Sequence, residues 1–398
     1  MINTKKKLLT LTICFTTMLP LSSIFSTEFL YADKDIQNDS FTLSDLFDSE
    51  FGSDSDSEVS TTNNNNDYGN SYHNNDVVFN IAVAGDWGCG DDTKKTVENI
   101  QNKDPELVIA AGDLSYKNSA DCWFEIIQPI QSKMKIAMGD HEYSDTNGGK
   151  YGVINQYLKP FNLEKTYYSF DKNNVHVTMI DPYIDYKLGS AQYKFIEQDL
   201  KSAASNPKID WTFVVESIPI YTAPSKHPGD SDIRDIYHPL FDKYGVDLVF
   251  SSDNHNYQRT FPLKYNNNGG DDSSETPIIT YVNDNNDYNS DNGGVVYLII
   301  GTGGRSLYDV KGDVPFVANY YDKQFGFLNI DVHSSDALVG TFYANEDYSS
   351  QYDDNENGYY FINTASAANT ATNSPSDKNI IDQFIISSNT NYQEHHSY

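Results

Sequence analysis

The chain has 398 residues, 57 of them acidic and 27 basic, for a formal net charge of −30. A surface this negative repels a phosphodiester backbone and attracts divalent cations, which argues against a nucleic-acid binder. The length allows one large domain or two small ones.

Lys5, Lys6 and Lys7 open the chain, and an uncharged run from Leu8 to Thr27 follows. With Leu30-Tyr31-Ala32 as a small-residue cleavage site, residues 1–32 read as a signal peptide. The run is nearly long enough to span a bilayer, so an uncleaved membrane anchor is the alternative; its threonines and Pro20 favour cleavage. The expected location is secreted or at the extracytoplasmic cell surface. Cys14 falls in this segment, leaving Cys89 and Cys122. Each sits just past a polar loop, and the two loops should be neighbours, so a disulfide between them is expected in an oxidising compartment. Residues 33–76 alternate serine with acid from Ser53 to Glu58 and carry Asn63 to Asn66 in a row. With no apolar period, they read as a disordered acidic, Asn-rich linker.

The folded body is expected over 77–387, followed by a tail at 388–398. Val77–Ala84 reads as a strand ending in Gly85-Asp86, and Asp92–Asn102 as a helix. Leu107–Ala111 is a strand ending in Gly112-Asp113; Cys122–Ser132 is helical; Lys135–Met138 is a strand ending in Gly139-Asp140. Alternation at this spacing indicates α/β layering around a parallel sheet. Tyr167–Phe170 and Val175–Ile180 make a hairpin, Ala191–Ala203 a helix, and Trp211–Val215 a strand ending at Glu216-Ser217. Asp232–Tyr244 is a helix and Val246–Phe250 a strand ending at Ser252-Asp253. Residues 265–294 are rich in Asn, Asp and Gly and read as a mobile insertion. Val295–Ile300 is a strand before Gly301-Thr302-Gly303-Gly304. Phe325–Val332 and Ala337–Tyr343 read as antiparallel strands, 345–378 as a polar disordered insertion, and Ile380–Ile386 as a last strand beside 337–343.

Five strands thus end on polar clusters, which is how an open α/β sheet delivers side chains to one cleft. The clusters are Gly85-Asp86-Trp87-Gly88, Gly112-Asp113 with Tyr116, Gly139-Asp140-His141-Glu142, Ser217-Ile218-Pro219, and Asp253-Asn254-His255-Asn256-Tyr257-Gln258-Arg259. In order and spacing they resemble the motifs GD-x-G, GD-x-x-Y, GNH-E, H-x-P and GH-x-H of the calcineurin-like metallophosphoesterases. The tyrosine of the second motif is that of the purple acid phosphatase branch. The resemblance runs from about Val77 to Tyr343. It implies a sandwich of two mixed β-sheets flanked by helices, and hydrolysis of phosphate esters by a water that metal ions activate.

Carried over by position, Asp86, Asp113, Tyr116 and His255 match the ligands that hold ferric iron in the family, and Asp113 the carboxylate that bridges two metal ions. Hard oxygen donors with one imidazole suit that ion. The second metal site departs from the pattern. Asp140 stands where the family has asparagine, Ser217 where it has the H-x-P histidine, and Asp253 where it has the first histidine of GH-x-H. A mostly oxygen set with Ser217 as a weak ligand suits manganese, magnesium or calcium, or the second ion is lost. His141 matches a phosphate-contacting position and is the candidate catalytic acid. Ile218 stands where the family often has a second histidine. His227 and His238 lie in the following loop and helix; either could stand in for it, although both read first as surface or core residues. His176 reads as structural, Arg259 and Tyr257 as braces of the last ligand loop, and Arg305 as able to reach the cleft mouth. Two functions follow: a phosphoesterase acting on a small phosphate ester, or a catalytically impaired, metal-stabilised binding or scaffold module.

Overall fold

The computed structural model describes residues 77–143, 152–266, 276–280, 286–333, 337–345 and 379–388. The expected signal peptide and linker lie outside them, as do nearly all of the 345–378 insertion and the tail beyond 388.

Two seven-stranded sheets, each mixing parallel and antiparallel pairs, make the body. The chain opens with β1 (Phe79–Ala84), α1 (Asp91–Lys103), β2 (Leu107–Ala110), α2 (Asp121–Ile127) and β3 (Met134–Ile136). The three strands pair parallel. β2 and most of β1 are buried throughout, as strands covered on both faces must be. After two short helices, α3 (Asp140–Tyr143) and α4 (Ile154–Leu158), the chain enters the second sheet. This comprises the hairpin of β4 (Tyr168–Lys172) and β5 (Val175–Met179), then α5 (Ala191–Ala204), β6 (Trp211–Val215), α6 (Ser231–Tyr244) and β7 (Leu248–Ser251). β5, β6 and β7 are parallel neighbours.

The helix ends follow local chemistry. Ser190 caps α5 through the N–H of Tyr193, and Asp230 caps α6 through that of Ile233. Gly245 ends α6 at φ 66°, a left-handed conformation that glycine adopts without strain.

The remaining strands are β8 (Tyr257–Thr260), β9 (Leu263–Lys264), β10 (Ile278–Ile279), β11 (Asp287–Asn289), β12 (Val296–Ile300), β13 (Val317–Tyr321), β14 (Gly326–His333), β15 (Ala337–Ala344) and β16 (Ile380–Ser387). The first sheet runs β11-β16-β15-β14-β1-β2-β3, the second β13-β8-β12-β7-β6-β5-β4. The main core lies between them, with Trp87, Val83, Ile109, Phe213, Phe250 and Phe327 among its buried residues. A second cluster beneath α5 and α6 gathers Ile196, Leu200, Tyr237 and Phe241.

The expected sandwich and the last strand beside 337–343 are both present. The 265–294 stretch is not simply an insertion loop: β9 pairs with β10, and β11 joins β16 in parallel. Cys89 and Cys122 form the expected disulfide, with Cα atoms 5.8 Å apart.

The two sheets meet at the ends of their parallel strands. The N–H of Gly85, just past β1, donates to Ile300 O at the end of β12 (2.8 Å). Ser252 Oγ, just past β7, donates to Ala111 O, just past β2 (2.7 Å). Every polar cluster singled out in the sequence is therefore delivered to one seam.

A candidate dinuclear metal centre

Asp86 follows β1, Asp113 and Tyr116 follow β2, and His255 lies in the turn between β7 and β8. Their donor atoms converge. The Tyr116 hydroxyl is 2.7 Å from Asp86 Oδ1, 3.1 Å from Asp113 Oδ2 and 3.1 Å from His255 Nε2. His255 Nε2 is 3.3 Å from Asp86 Oδ1. Ligands side by side on a cation with bonds of about 2.1 Å sit ~3 Å apart, which is the spacing of the Tyr116 hydroxyl from each of the other three donors and of His255 from Asp86.

Other features fit a cation too. Asp86 is fully buried, and its Oδ2 has no hydrogen-bond partner. Glycines make room for the carboxylates: a Cβ on Gly301 would lie 2.4 Å from Asp86 Oδ2, and one on Gly139 1.9 Å from Asp113 Oδ1. Burial, then the charges of Asp86, Glu142 and Asp140, pushes the Asp113 pKa well above the carboxylate range. Carboxylates crowded this closely cannot all ionise without a compensating proton or cation. His255 is oriented by its Nδ1, which lies 2.6 Å from Ser306 O, and by Tyr308, whose ring stacks on it at 3.8 Å.

Next to this cluster, Asp113, Asp140 and His141 each place a donor atom within 4.8 Å of the others. Asp140 is exposed, and His141 rests against the Tyr116 ring, centroids 3.9 Å apart. The third carboxylate expected here, Asp253, is half-buried. Burial first, then Asp86 and Asp140, pushes its pKa up to about 7. Ser217 is buried, and its hydroxyl donates to the Tyr183 hydroxyl at 3.3 Å.

Two residues enter that the sequence reading gave no role, Glu142 and Tyr183, and two that it had weighed, His227 and Arg305, are brought to the site. Glu142, fully buried, accepts N–H bonds from Asp113 (3.1 Å), Leu114 (2.9 Å) and Gly139 (2.9 Å), and so staples the second loop to the third. It stands inside a quoted motif, and an acid there with no assigned ligand role was the available signal. Tyr183 lies a few residues past β5, within electrostatic reach of Asp113, Asp253 and Asp140. His227 is no bystander on the surface: its Nδ1 is 3.9 Å from Asp253 Oδ2. Asn254 fixes it there, accepting from the His227 N–H at 2.9 Å and donating to its carbonyl at 2.8 Å. Arg305 lies with its guanidinium carbon 4.7 Å from the Tyr116 ring centre, where the sequence had it reaching the cleft mouth.

His238 and His176 stay out of the site. The first is buried against the Tyr221 hydroxyl, the second between Asp171 and Asp199. Tyr257 and Arg259 do not brace the ligand loop. Both bond Asp382 on β16, because their strand carries them to the far sheet.

Comparison with known proteins matches residues 79–257 to the calcineurin-like phosphoesterase family. That stretch holds every candidate ligand from Asp86 to His255. The chain is 30% identical over 196 residues to probable purple acid phosphatase 20 of Arabidopsis thaliana, covering 45% of this chain and 46% of the relative. It is 25% identical over 308 residues to probable inactive purple acid phosphatase 24 of the same plant, covering 67% of this chain and 48% of that one. The chain thus spans about half the length of these relatives. Among solved structures it resembles the purple acid phosphatase PPD1 from yellow lupin (Lupinus luteus) seeds. The TM-score is 0.60 at 21% identity, over 78% of this chain and 54% of that one, a likeness of fold. Residues 79–257 thus match the calcineurin-like phosphoesterase family, and the chain around them is similar to the purple acid phosphatases.

Proposed function

We propose that the chain is an exported phosphoesterase that hydrolyses small phosphate esters at a two-cation site. The observation carrying this reading is the convergence of Asp86, Asp113, Tyr116 and His255 at 2.7–3.3 Å. These four hold the first cation, with iron favoured by the phenolate and carboxylates. Asp113, Asp140 and Asp253 hold a second, harder divalent ion; Ser217, turned to Tyr183, adds little. Cations there would neutralise phosphoryl charge and activate a water. His141 steadies the phosphoryl group and passes a proton to the departing alkoxide. His227, beside Asp253, offers a second imidazole for that proton. The Cys89–Cys122 bridge suits an oxidising compartment and supports export.

A second reading has its own support. The side chain at 217 no longer points a nitrogen at the cation, and one relative matched over two thirds of this chain is named probable inactive. On that reading the domain is a cation-stabilised binding module.

Purified protein given an aryl phosphate with iron, manganese, magnesium or calcium separates the two. Turnover that falls by more than about 100-fold in Asp113→Asn supports the hydrolase. Absence of turnover with every cation, while cations still raise the melting temperature, supports the module. In iron-loaded protein a visible charge-transfer absorption is expected, and Tyr116→Phe removes it. A colourless iron-loaded wild type would refute iron on the phenolate.

A further inference from the structure

The loop after β5 is built to hold one side chain still. Asp181, fully buried, accepts the Tyr183 N–H on Oδ1 at 3.0 Å and the Tyr143 hydroxyl on Oδ2. Gln192 of α5 fixes Asp181 in turn. Its Oε1 accepts the Asp181 N–H and its Nε2 donates to the Asp181 carbonyl, both at 2.8 Å. Pro182, between Asp181 and Tyr183, locks its own φ. The Tyr183 ring lies 5.5 Å from that of Tyr143, which directly follows His141-Glu142. The two rings and Asp181 thus tie the loop after β5 to the third polar cluster. Tyr183 is half-buried and belongs to neither apolar core, so packing alone does not account for this support.

The supported group ends beside the second cation site. Ser217 Oγ donates to the Tyr183 hydroxyl at 3.3 Å, and Asp113, Asp253 and Asp140 all act on it electrostatically. A phenol has a proton to give as well as lone pairs to offer. The Ser217 bond uses a lone pair, and among the described residues the phenolic proton goes to none of the three carboxylates. Tyr116 differs: its hydroxyl is packed into the donors of the first site at 2.7–3.1 Å. One tyrosine sits among ligands, and the other stands back from them with its proton uncommitted. We propose that Tyr183 is a substrate-binding residue, whose hydroxyl donates a hydrogen bond to a nonbridging oxygen of the phosphoryl group, on the side of the site where Ser217 offers no nitrogen.

This rests on the hydrolase reading and adds a residue to its site. The phenol keeps its proton, and no bond to Tyr183 forms or breaks during hydrolysis. A neutral donor suits the position. A charged one would pair with Asp140 or Asp253 and compete with a cation for the same oxygens.

The test is equilibrium dialysis of the full chain against inorganic phosphate, with excess manganese on both sides, alongside manganese binding without phosphate. Tyr183→Phe keeps the ring against Tyr143 and removes only the hydroxyl. It should bind phosphate at least about tenfold more weakly, the effect of one hydrogen bond to a charged group, with manganese affinity unchanged. A ring-fluorinated tyrosine installed at 183 keeps the shape and is a stronger donor. At mildly acidic pH it should bind phosphate at least as tightly as wild type, and it decides the matter even if the phenylalanine variant folds poorly. With an aryl phosphate, the phenylalanine variant's loss should fall on KM rather than kcat, because a nonbridging oxygen is charged before and during the transfer. Unchanged phosphate affinity in Tyr183→Phe would overturn the proposal. So would a parallel loss of manganese affinity, weaker phosphate binding by the fluorinated protein, or a manganese-loaded wild type that binds no phosphate. A chain that binds phosphate yet turns over no ester fails as a hydrolase, while the role of Tyr183 is still decided by dialysis.

Discussion

Asp86, Asp113, Tyr116 and Asp253 share a backbone oddity: their φ angles are 55°, 53°, 55° and 66°. Left-handed backbone costs a non-glycine residue roughly 1–2 kcal/mol, so four such residues at one seam mark a structure held for use rather than for stability. Charge crowding adds to the cost at Asp113. Replacing it by asparagine removes one buried charge while keeping the shape. Asp113→Asn in cation-free protein at neutral pH is therefore expected to unfold at higher urea concentration than wild type, by on the order of 1 kcal/mol. Adding divalent cation should reverse the order. A cation-free variant less stable than wild type would contradict this account of the site. Most of these residues were legible in the sequence because they follow apolar runs directly. Tyr183 obeys the same rule, since Asp181-Pro182-Tyr183 closes the run through β5, but its phenol looked like one of 30 tyrosines. The position of His227 was not legible for another reason. Only the long-range pairing of Asn254 with its backbone brings it to Asp253, and no local pattern encodes that contact.

Apolar strands buried on both faces announced themselves; the polar edge strands β11 and β13 did not. β1, β2 and β7 are short apolar runs closed by glycine or serine, and β6 is one closed by Glu216-Ser217. β13 is Val-Ala-Asn-Tyr-Tyr at the edge of the second sheet, and β11 is three residues inside an Asn- and Asp-rich stretch, so neither shows a period. β11 exists because β16 runs beside it. β16 is fixed by a buried polar knot in which Asp382 accepts from Arg259 (2.6 and 2.9 Å), Tyr257 (2.7 Å) and Asn319 (2.8 Å). Arg259 and Asp382 are both buried, and breaking such a pair from one side leaves an uncompensated charge. Asp382→Ala should cost about 3–5 kcal/mol in urea unfolding. A loss below about 1 kcal/mol would show that β16 is held by its strand pairing alone. A second polar knot predicts a pH effect. Burial pulls the His176 pKa down, but Asp199 and Asp171 outweigh it and hold the pKa above its usual value. A raised folded-state pKa contributes stability in full below the unfolded value of about 6.5, and loses it as pH climbs through the folded value. His176→Gln should therefore be less stable than wild type near pH ~5.5, with the gap closing by pH ~9. A gap that widened with pH would show the imidazole to be neutral in the fold.

For the molecule as a whole, the excess of 30 negative charges sets the terms on which every other interaction operates. Self-repulsion of this size opposes the compact state, and salt weakens it by shortening the screening length from about 30 Å at 0.01 M to about 8 Å at 0.15 M. Monovalent salt should thus raise the melting temperature of wild type and of Asp113→Asn alike, because screening acts on the whole surface. Divalent cations at matched ionic strength test something narrower. A cation that binds only the folded chain stabilises it by about 2.7 kcal/mol at 100 times its dissociation constant, which for a domain of this size is a shift of several degrees. That shift depends on a few donors at the seam, so it should survive in 0.15 M monovalent salt. It should also vanish when Asp86 and Asp113 are both changed to asparagine, although the net charge then moves only from −30 to −28. Scanning calorimetry on the two proteins, with and without manganese, reads this directly. If the double variant still gained several degrees from the cation, the binding would be diffuse. The convergence of Asp86, Asp113, Tyr116 and His255 would then be a polar cluster of the fold and not a metal centre.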